Sequence, residues 1–138
     1  MNTLLILDSD APRYVEALKE RNFADLVIHS ANDPVAAREH IEQADIILAR
    51  PAYAAPLLER AKNLRWLQST FAGIDPLCSK ELRTDSILTG VKDVFGRLMR
   101  EYVFAYIPAQ ITSLFCENYR RFLSASKLKY IVEFANGY

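Results

Sequence analysis

Polar and apolar positions along the chain alternate between short apolar runs and longer amphipathic stretches. The runs are TLLILD (3–8), DLVIHS (25–30), DIILA (45–49), RWLQST (65–70) and SILTGV (86–91). Several are apolar at successive positions, the pattern of strands covered on both faces. Helical patterns lie between them. Residues 11–21 place Tyr14, Val15, Leu18 and Ala17 on one face, with charges opposite. Asn32, Asp33 and Pro34 make a helix start, a capping side chain followed by proline in the first turn, ahead of Val35, Ala36 and Ile41. Pro56 opens a third short helix through Leu57, Leu58 and Ala61, and a brief turn is expected over 76–82. Strands alternating with helices are the signature of βαβ units and a parallel sheet.

Five strands within residues 1–96 predict an α/β domain, a flavodoxin-like three-layer parallel sheet of order 2-1-3-4-5. After Gly96 the character changes. Apolar residues recur at 98, 99, 102, 103, 106, 107, 111, 114 and 115, which predicts a long C-terminal helix. Phe104 falls outside the stripe, so the helix is apolar around more than half its girth and expects contact on two sides. Pro108 sits in its middle, where it removes one hydrogen bond and costs roughly 3 kcal/mol or makes a kink. Residues 97–138 are therefore read as a separate unit, a helix plus a tail. The tail, KLKYIVEFANGY, reads equally as a strand or a frayed helix.

Composition narrows the function classes. With 138 residues and 51% apolar content the chain can bury one real core. Basic and acidic residues number 17 each, so no global charge draws it to nucleic acid or an anionic membrane. Cys78 and Cys116 have no CxxC spacing and no histidine cluster, which argues against a disulfide scaffold or zinc site and suits a reducing cytoplasm. The start, MNTLLILDSD, lacks the basic opening and long apolar run of a secretory signal and reads as a first strand. No apolar stretch approaches the ~20 residues of a membrane span. A soluble, cytoplasmic protein is expected.

In open α/β sheets ligands gather beyond the C-terminal ends of the strands, near the switch in strand order. Three loops are predicted to meet there: Asp8-Ser9-Asp10, Ala49-Arg50-Pro51, and the stretch Ser69-Thr70-Phe71-Ala72-Gly73-Ile74-Asp75. Gly73 permits close backbone approach or positive φ, and amides entering a helix favour an anion. A small carboxylate would lie on the N–H groups of Ala72 and Gly73, with Arg50 across the gap. The plainer alternative is a turn needing a glycine, a capping Asp75 and a solvated arginine.

Other constellations are weaker. His29 and His40 have no serine or cysteine partner in a recognisable motif. Asp8 and Asp10 are an acidic pair of the kind that binds Mg²⁺ in phospho-receiver domains, but such a site needs an aspartate ending strand three, where Ala49 and Arg50 stand. Capping the next helix is the simpler role for Asp10. Trp66 and Phe71 offer stacking surfaces, although Trp66 within a strand reads as core. The four glycines, at 73, 90, 96 and 137, cannot build the GxGxxG turn of a dinucleotide site.

LRWLQSTFAGIDPL followed by ILTGVKDVFGRLMREYVFAYI resembles the N-terminal part of D-isomer-specific 2-hydroxyacid dehydrogenases, particularly the glyoxylate/hydroxypyruvate reductase branch. In that family a flavodoxin-like substrate domain leads through a crossover helix into a Rossmann NAD(P) domain. Leu64-Arg65-Trp66-Leu67, Ala72-Gly73-Ile74-Asp75, Thr89-Gly90-Val91 and Arg100-Glu101 occupy the places of its motifs, and the similarity covers about residues 1–125. The resemblance implies that amides around Phe71, Ala72 and Gly73 hold a substrate carboxylate, with the Ala49–Arg50 loop facing it. Departures are Gly90 for the family asparagine, Asp93 for a glycine, and Pro108 in the crossover helix.

The chain stops before the family's cofactor fingerprint and its catalytic arginine, glutamate and histidine. It is therefore expected to be a truncated homologue that binds no NAD or NADP and has no catalytic residue of its own. The alternatives are a stand-alone module for a small 2-oxo or 2-hydroxy acid, or a receiver-like or protein-binding domain. In the family the long helix packs on the cofactor domain, so a homo-oligomer through residues 98–123 is expected.

Overall fold

A computed structural model describes residues 1–79, 82, 85–92 and 107–134. Five strands, β1 (Asn2–Leu7), β2 (Leu26–Ala31), β3 (Ile46–Ala49), β4 (Trp66–Ser69) and β5 (Ile87–Thr89), form one sheet of order β2-β1-β3-β4-β5. Every pairing is parallel. Each strand lies within two residues of its predicted run, and the order is the predicted one.

Alternation along the strands feeds two cores. Leu5, Leu7, Ile47, Ala49, Leu67 and Leu88 point to one face; Leu4, Ile6, Ile46, Leu48 and Trp66 point to the other. The first face is covered by α2 (Pro34–Ala37), α3 (Pro51–Ala54) and the 3₁₀ turns around them, through Ala37, Ile41, Leu57, Leu58 and Leu77. The second is covered by α1 (Ala11–Lys19) and α4 (Ile107–Leu123), through Tyr14, Leu18, Ile111, Phe115 and Tyr119. The result is the three-layer α/β architecture that the pattern predicts, with a C-terminal helix.

Local chemistry sets the helix ends. Asp33 caps α2 by accepting the N–H groups of Val35 and Ala36, as expected. The inward face of this segment is Ala37 and Ile41, however, while Val35 is 70% exposed. The helix placed at Pro56 begins earlier: Pro51 starts α3 at the first helical position, and Pro56 lies within the 3₁₀ turn Ala55–Arg60. Helix α1 ends at Lys19, and Asn22 takes φ +49°, a left-handed turn that asparagine tolerates.

The described part of α4 begins at Ile107, and from Pro108 the helix runs on without a further proline. The predicted stretch before it, residues 98–106, lies outside the described residues. Phe115 stacks on Trp66 with ring centroids 4.9 Å apart and planes 5° from parallel. Trp66 is fully buried core, and its indole N–H donates to Thr89 Oγ1 at 2.8 Å. A buried polar chain continues from there. Thr89 donates to Gln68 Oε1 at 2.7 Å, Asn118 Nδ2 reaches Gln68 Oε1 at 3.4 Å, and Asn118 Oδ1 accepts the Lys129 N–H at 2.7 Å. The tail is thereby tied to both helix and sheet. It runs antiparallel to β5, with Gly90 N–H donating to the Tyr130 carbonyl and Val132 N–H to the Leu88 carbonyl, both at 3.0 Å.

Candidate functional site at the strand ends

Register determines which loops meet. Leu7 pairs with Ala49, and Ala49 with Ser69, so the ends of β1, β3 and β4 lie side by side. The order reverses between β1 and β3, the switch at which this architecture places ligands. The three predicted loops do converge here.

Asp8 is their hub. It is 2% exposed and accepts the Thr70 hydroxyl at 2.7 Å and the Asp10 N–H at 3.0 Å. The capping role assigned to Asp10 is therefore corrected. Asp10 stands at the N-cap position without a side-chain cap bond, and the carboxylate of Asp8 reaches the Asp10 N–H instead. A buried Asp8 engaged in this way, with Arg50 at the end of β3, does not form an open acidic pair for Mg²⁺. Among the described residues no group of three histidine, cysteine or acidic side chains could hold a metal.

Arg50 follows β3 and turns over the hub. Its Nη2 donates to Ser9 Oγ at 3.0 Å and stands 3.6 Å from Asp8 Oδ1. Its guanidinium carbon lies 4.6 Å from the Phe71 ring centroid and 5.4 Å from that of Tyr53. Nε is buried and has no hydrogen-bond partner among the described residues. Ala49 is fully buried, and its carbonyl accepts the Thr70 N–H, so it shapes the floor only. Beside them Tyr14 is buried, and burial together with the nearby Asp8 and Asp10 charges pushes its phenol well up, so it stays protonated.

On the β4 loop the amides differ. Phe71 N–H is already engaged, donating to Ser69 Oγ at 3.0 Å, while Ser69 donates back to the Phe71 carbonyl at 2.6 Å. The N–H groups of Ala72 and Gly73 make no hydrogen bond within the described residues, and both residues are exposed. Gly73 is not in a left-handed conformation, and among the described residues an added Cβ there would meet only Asp75 Oδ2, at 3.9 Å. The fold itself does not require a glycine. The capping role for Asp75 is also corrected: it begins a three-residue 3₁₀ turn, Asp75–Leu77, capped by no side chain.

Sequence reasoning missed Tyr53 and the Asp8–Thr70 bond, both of which depend on register. It also missed that His29 and His40 stack, with centroids 4.2 Å apart and planes 18° from parallel. Nearly parallel rings do not aim their nitrogens at one point, so the pair is not preset as a metal clamp. Burial pushes both cysteine thiols up, with Asp75 adding to the effect at Cys78, so neither is an activated nucleophile.

Sheet order and the convergence of three strand-end loops at its switch point define an open parallel α/β domain. Comparison with known proteins gives the family. No family model matches the sequence, and no curated protein does. Among solved structures, a D-isomer specific 2-hydroxyacid dehydrogenase family protein from Aeromonas salmonicida subsp. salmonicida A449 is 37% identical with TM-score 0.70, over 91% of this chain and 40% of that one. A protein of the same description from Klebsiella pneumoniae 342 is 20% identical with TM-score 0.51, over 90% and 37%. A probable 2-hydroxyacid dehydrogenase from Rhizobium etli CFN 42, solved with NADP, HEPES and L(+)-tartaric acid, is 20% identical with TM-score 0.51, over 96% and 42%. The two more distant structures bear on the fold; the Aeromonas protein carries the relationship. Over nearly its whole length the chain is thus related to part of a D-isomer specific 2-hydroxyacid dehydrogenase, and it spans about two-fifths of the length of these relatives.

Proposed function

We propose that the strand-end loops bind a small 2-oxo or 2-hydroxy acid, with its carboxylate on the N–H groups of Ala72 and Gly73 and beside Nη1 of Arg50. The observation that carries this reading is the pair of exposed amides, unengaged among the described residues, that follow Phe71, whose ring lies against an arginine held by Ser9 and Asp8. That the Rhizobium protein was solved with L(+)-tartaric acid, a 2-hydroxy acid, supports the ligand class. Asp8 offsets much of the Arg50 charge, so the amides provide the main attraction. Affinity in the millimolar range, about −4 kcal/mol, is expected.

Among the described residues, the turn at Gly73 does not fit a dinucleotide. The turn at Gly73 leads into a three-residue 3₁₀ segment, too short to present the aligned amides that a pyrophosphate takes from a helix N-terminus. We therefore read the chain as a binding portion related to dehydrogenases, without hydride transfer of its own, on the glyoxylate/hydroxypyruvate reductase side of the family.

The test is a calorimetric or ligand-observed NMR titration with glyoxylate, hydroxypyruvate and tartrate, on wild type and Gly73→Trp. Saturable binding that the substitution abolishes is expected, with no consumption of NADH or NADPH. Binding that Gly73→Trp leaves intact, or no binding at all, would remove the reading.

A further inference from the structure

Phe71 has its backbone fully engaged, while its side chain makes a cation–π contact with Arg50. Ser69 holds both its N–H and its carbonyl, at 3.0 and 2.6 Å. The Phe71 peptide therefore offers nothing to a ligand and has little freedom to move. The residue is 45% exposed, its ring lies 4.6 Å from the Arg50 guanidinium carbon, and the ring of the half-buried Tyr53 lies 5.4 Å from that same carbon. No ring–ring contact of Phe71 with another side chain is found among the described residues.

Beneath it, Arg50 has work left to do. Nη2 is bonded to Ser9, Nη1 has no partner among the described residues, and Nε is buried without one. A guanidinium takes a carboxylate best through two parallel N–H groups. An aromatic face attracts the same cation, though weakly where it is exposed. The ring covers one side of the guanidinium, so an acid that approaches from that side must move it. With its backbone pinned, Phe71 can give way only by rotating its side chain, a picosecond-to-nanosecond motion for an exposed residue.

We infer that Phe71 is a rotating cover on Arg50, which an incoming acid displaces and which limits how readily acids engage the arginine. The inference rests on the carboxylate reading above. It assigns to Phe71 a gating role through its side chain, in place of the amide role that the resemblance gave it.

The test reads Arg50 directly, by the rate at which phenylglyoxal modifies it, followed by peptide mass mapping. Arg13 and Arg60, with side chains 63% and 46% exposed, serve as internal references. In Phe71→Ala the Arg50 rate should rise about three- to five-fold, the factor that loss of an exposed cation–π contact gives, while the references stay unchanged. Phe71→Leu, which keeps an apolar cover without the ring's quadrupole, should fall between. Glyoxylate should protect Arg50 in both forms, and at a several-fold lower concentration in Phe71→Ala.

An unchanged or slower Arg50 rate in Phe71→Ala overturns the cover. Faster modification with no gain in glyoxylate protection overturns the gating. Faster modification with no protection by any acid in either form overturns the carboxylate reading and leaves the cover standing.

Discussion

At the scale of single residues, Asp8 matters more than its exposure suggests. It accepts from Thr70, holds the first N–H of the following turn and faces Arg50. Removing it leaves a buried hydroxyl without its acceptor and an arginine without its counter-charge. Arg50 is about one-third exposed, so water compensates part of that loss. Asp8→Ala should therefore destabilise by about 2–3 kcal/mol, and Thr70→Val, which removes one hydroxyl, by about 1 kcal/mol. Urea denaturation of the two variants checks this, and equal losses would show that Asp8 only partners Thr70. Asp8 and Arg50 can both be picked out in the sequence as strand-end polar residues. The bond between Asp8 and Thr70 could not be, because it spans 62 positions and exists only through the register of β1, β3 and β4.

At the scale of elements, the strands were legible because each is a short apolar run bounded by polar residues, and parallel strands covered on both faces leave that trace. Helix α3 was misplaced because its inward residues, Pro51 and Ala54, carry almost no hydrophobic contrast. The tail resisted reading for a different reason. Its pairing with β5 is made by backbone groups of Gly90, Tyr130, Leu88 and Val132, which leave no side-chain period. Helix α4 was legible, but its partner was not. The wide apolar stripe suggested an outside partner, whereas Ile111, Phe115 and Tyr119 are fully buried against the chain's own sheet and α1. Phe115→Ala should cost about 3–5 kcal/mol, the range for a fully buried aromatic. Trp66, the chain's one tryptophan, reports on this directly. Its emission should move to the red as the stacked ring is lost, and an unmoved spectrum with unchanged stability would mean that α4 does not dock there.

At the scale of the whole molecule, one face of the sheet depends on residues far along the chain. Leu4, Ile6, Ile46, Leu48 and Trp66 share a core with Ile111, Phe115, Tyr119 and Leu128, so the C-terminal third completes the fold. This changes the basis for self-association. The side of α4 formed by Ile111, Phe115 and Tyr119 is taken, and Leu123, half exposed, is the large apolar residue of the described part of the helix that stays open. We retain the oligomer as a proposal on that footing. Light scattering at micromolar concentration should give a dimeric or higher mass, and a strictly monomeric mass would end it. No helix among the described residues is long and apolar enough to cross a membrane.

Gly73 carries one more consequence. Its backbone is not left-handed, and the space a methyl group would fill is open. Folding therefore places no demand on this position, and alanine or serine should fold as well as glycine. Any pressure that keeps the codon fixed must come from whatever approaches the loop. Among natural isolates carrying this gene, synonymous and replacement changes at that codon become a record of use. Where the loop serves a ligand, replacements will be purged; where it has fallen idle, they will accumulate at the neutral rate.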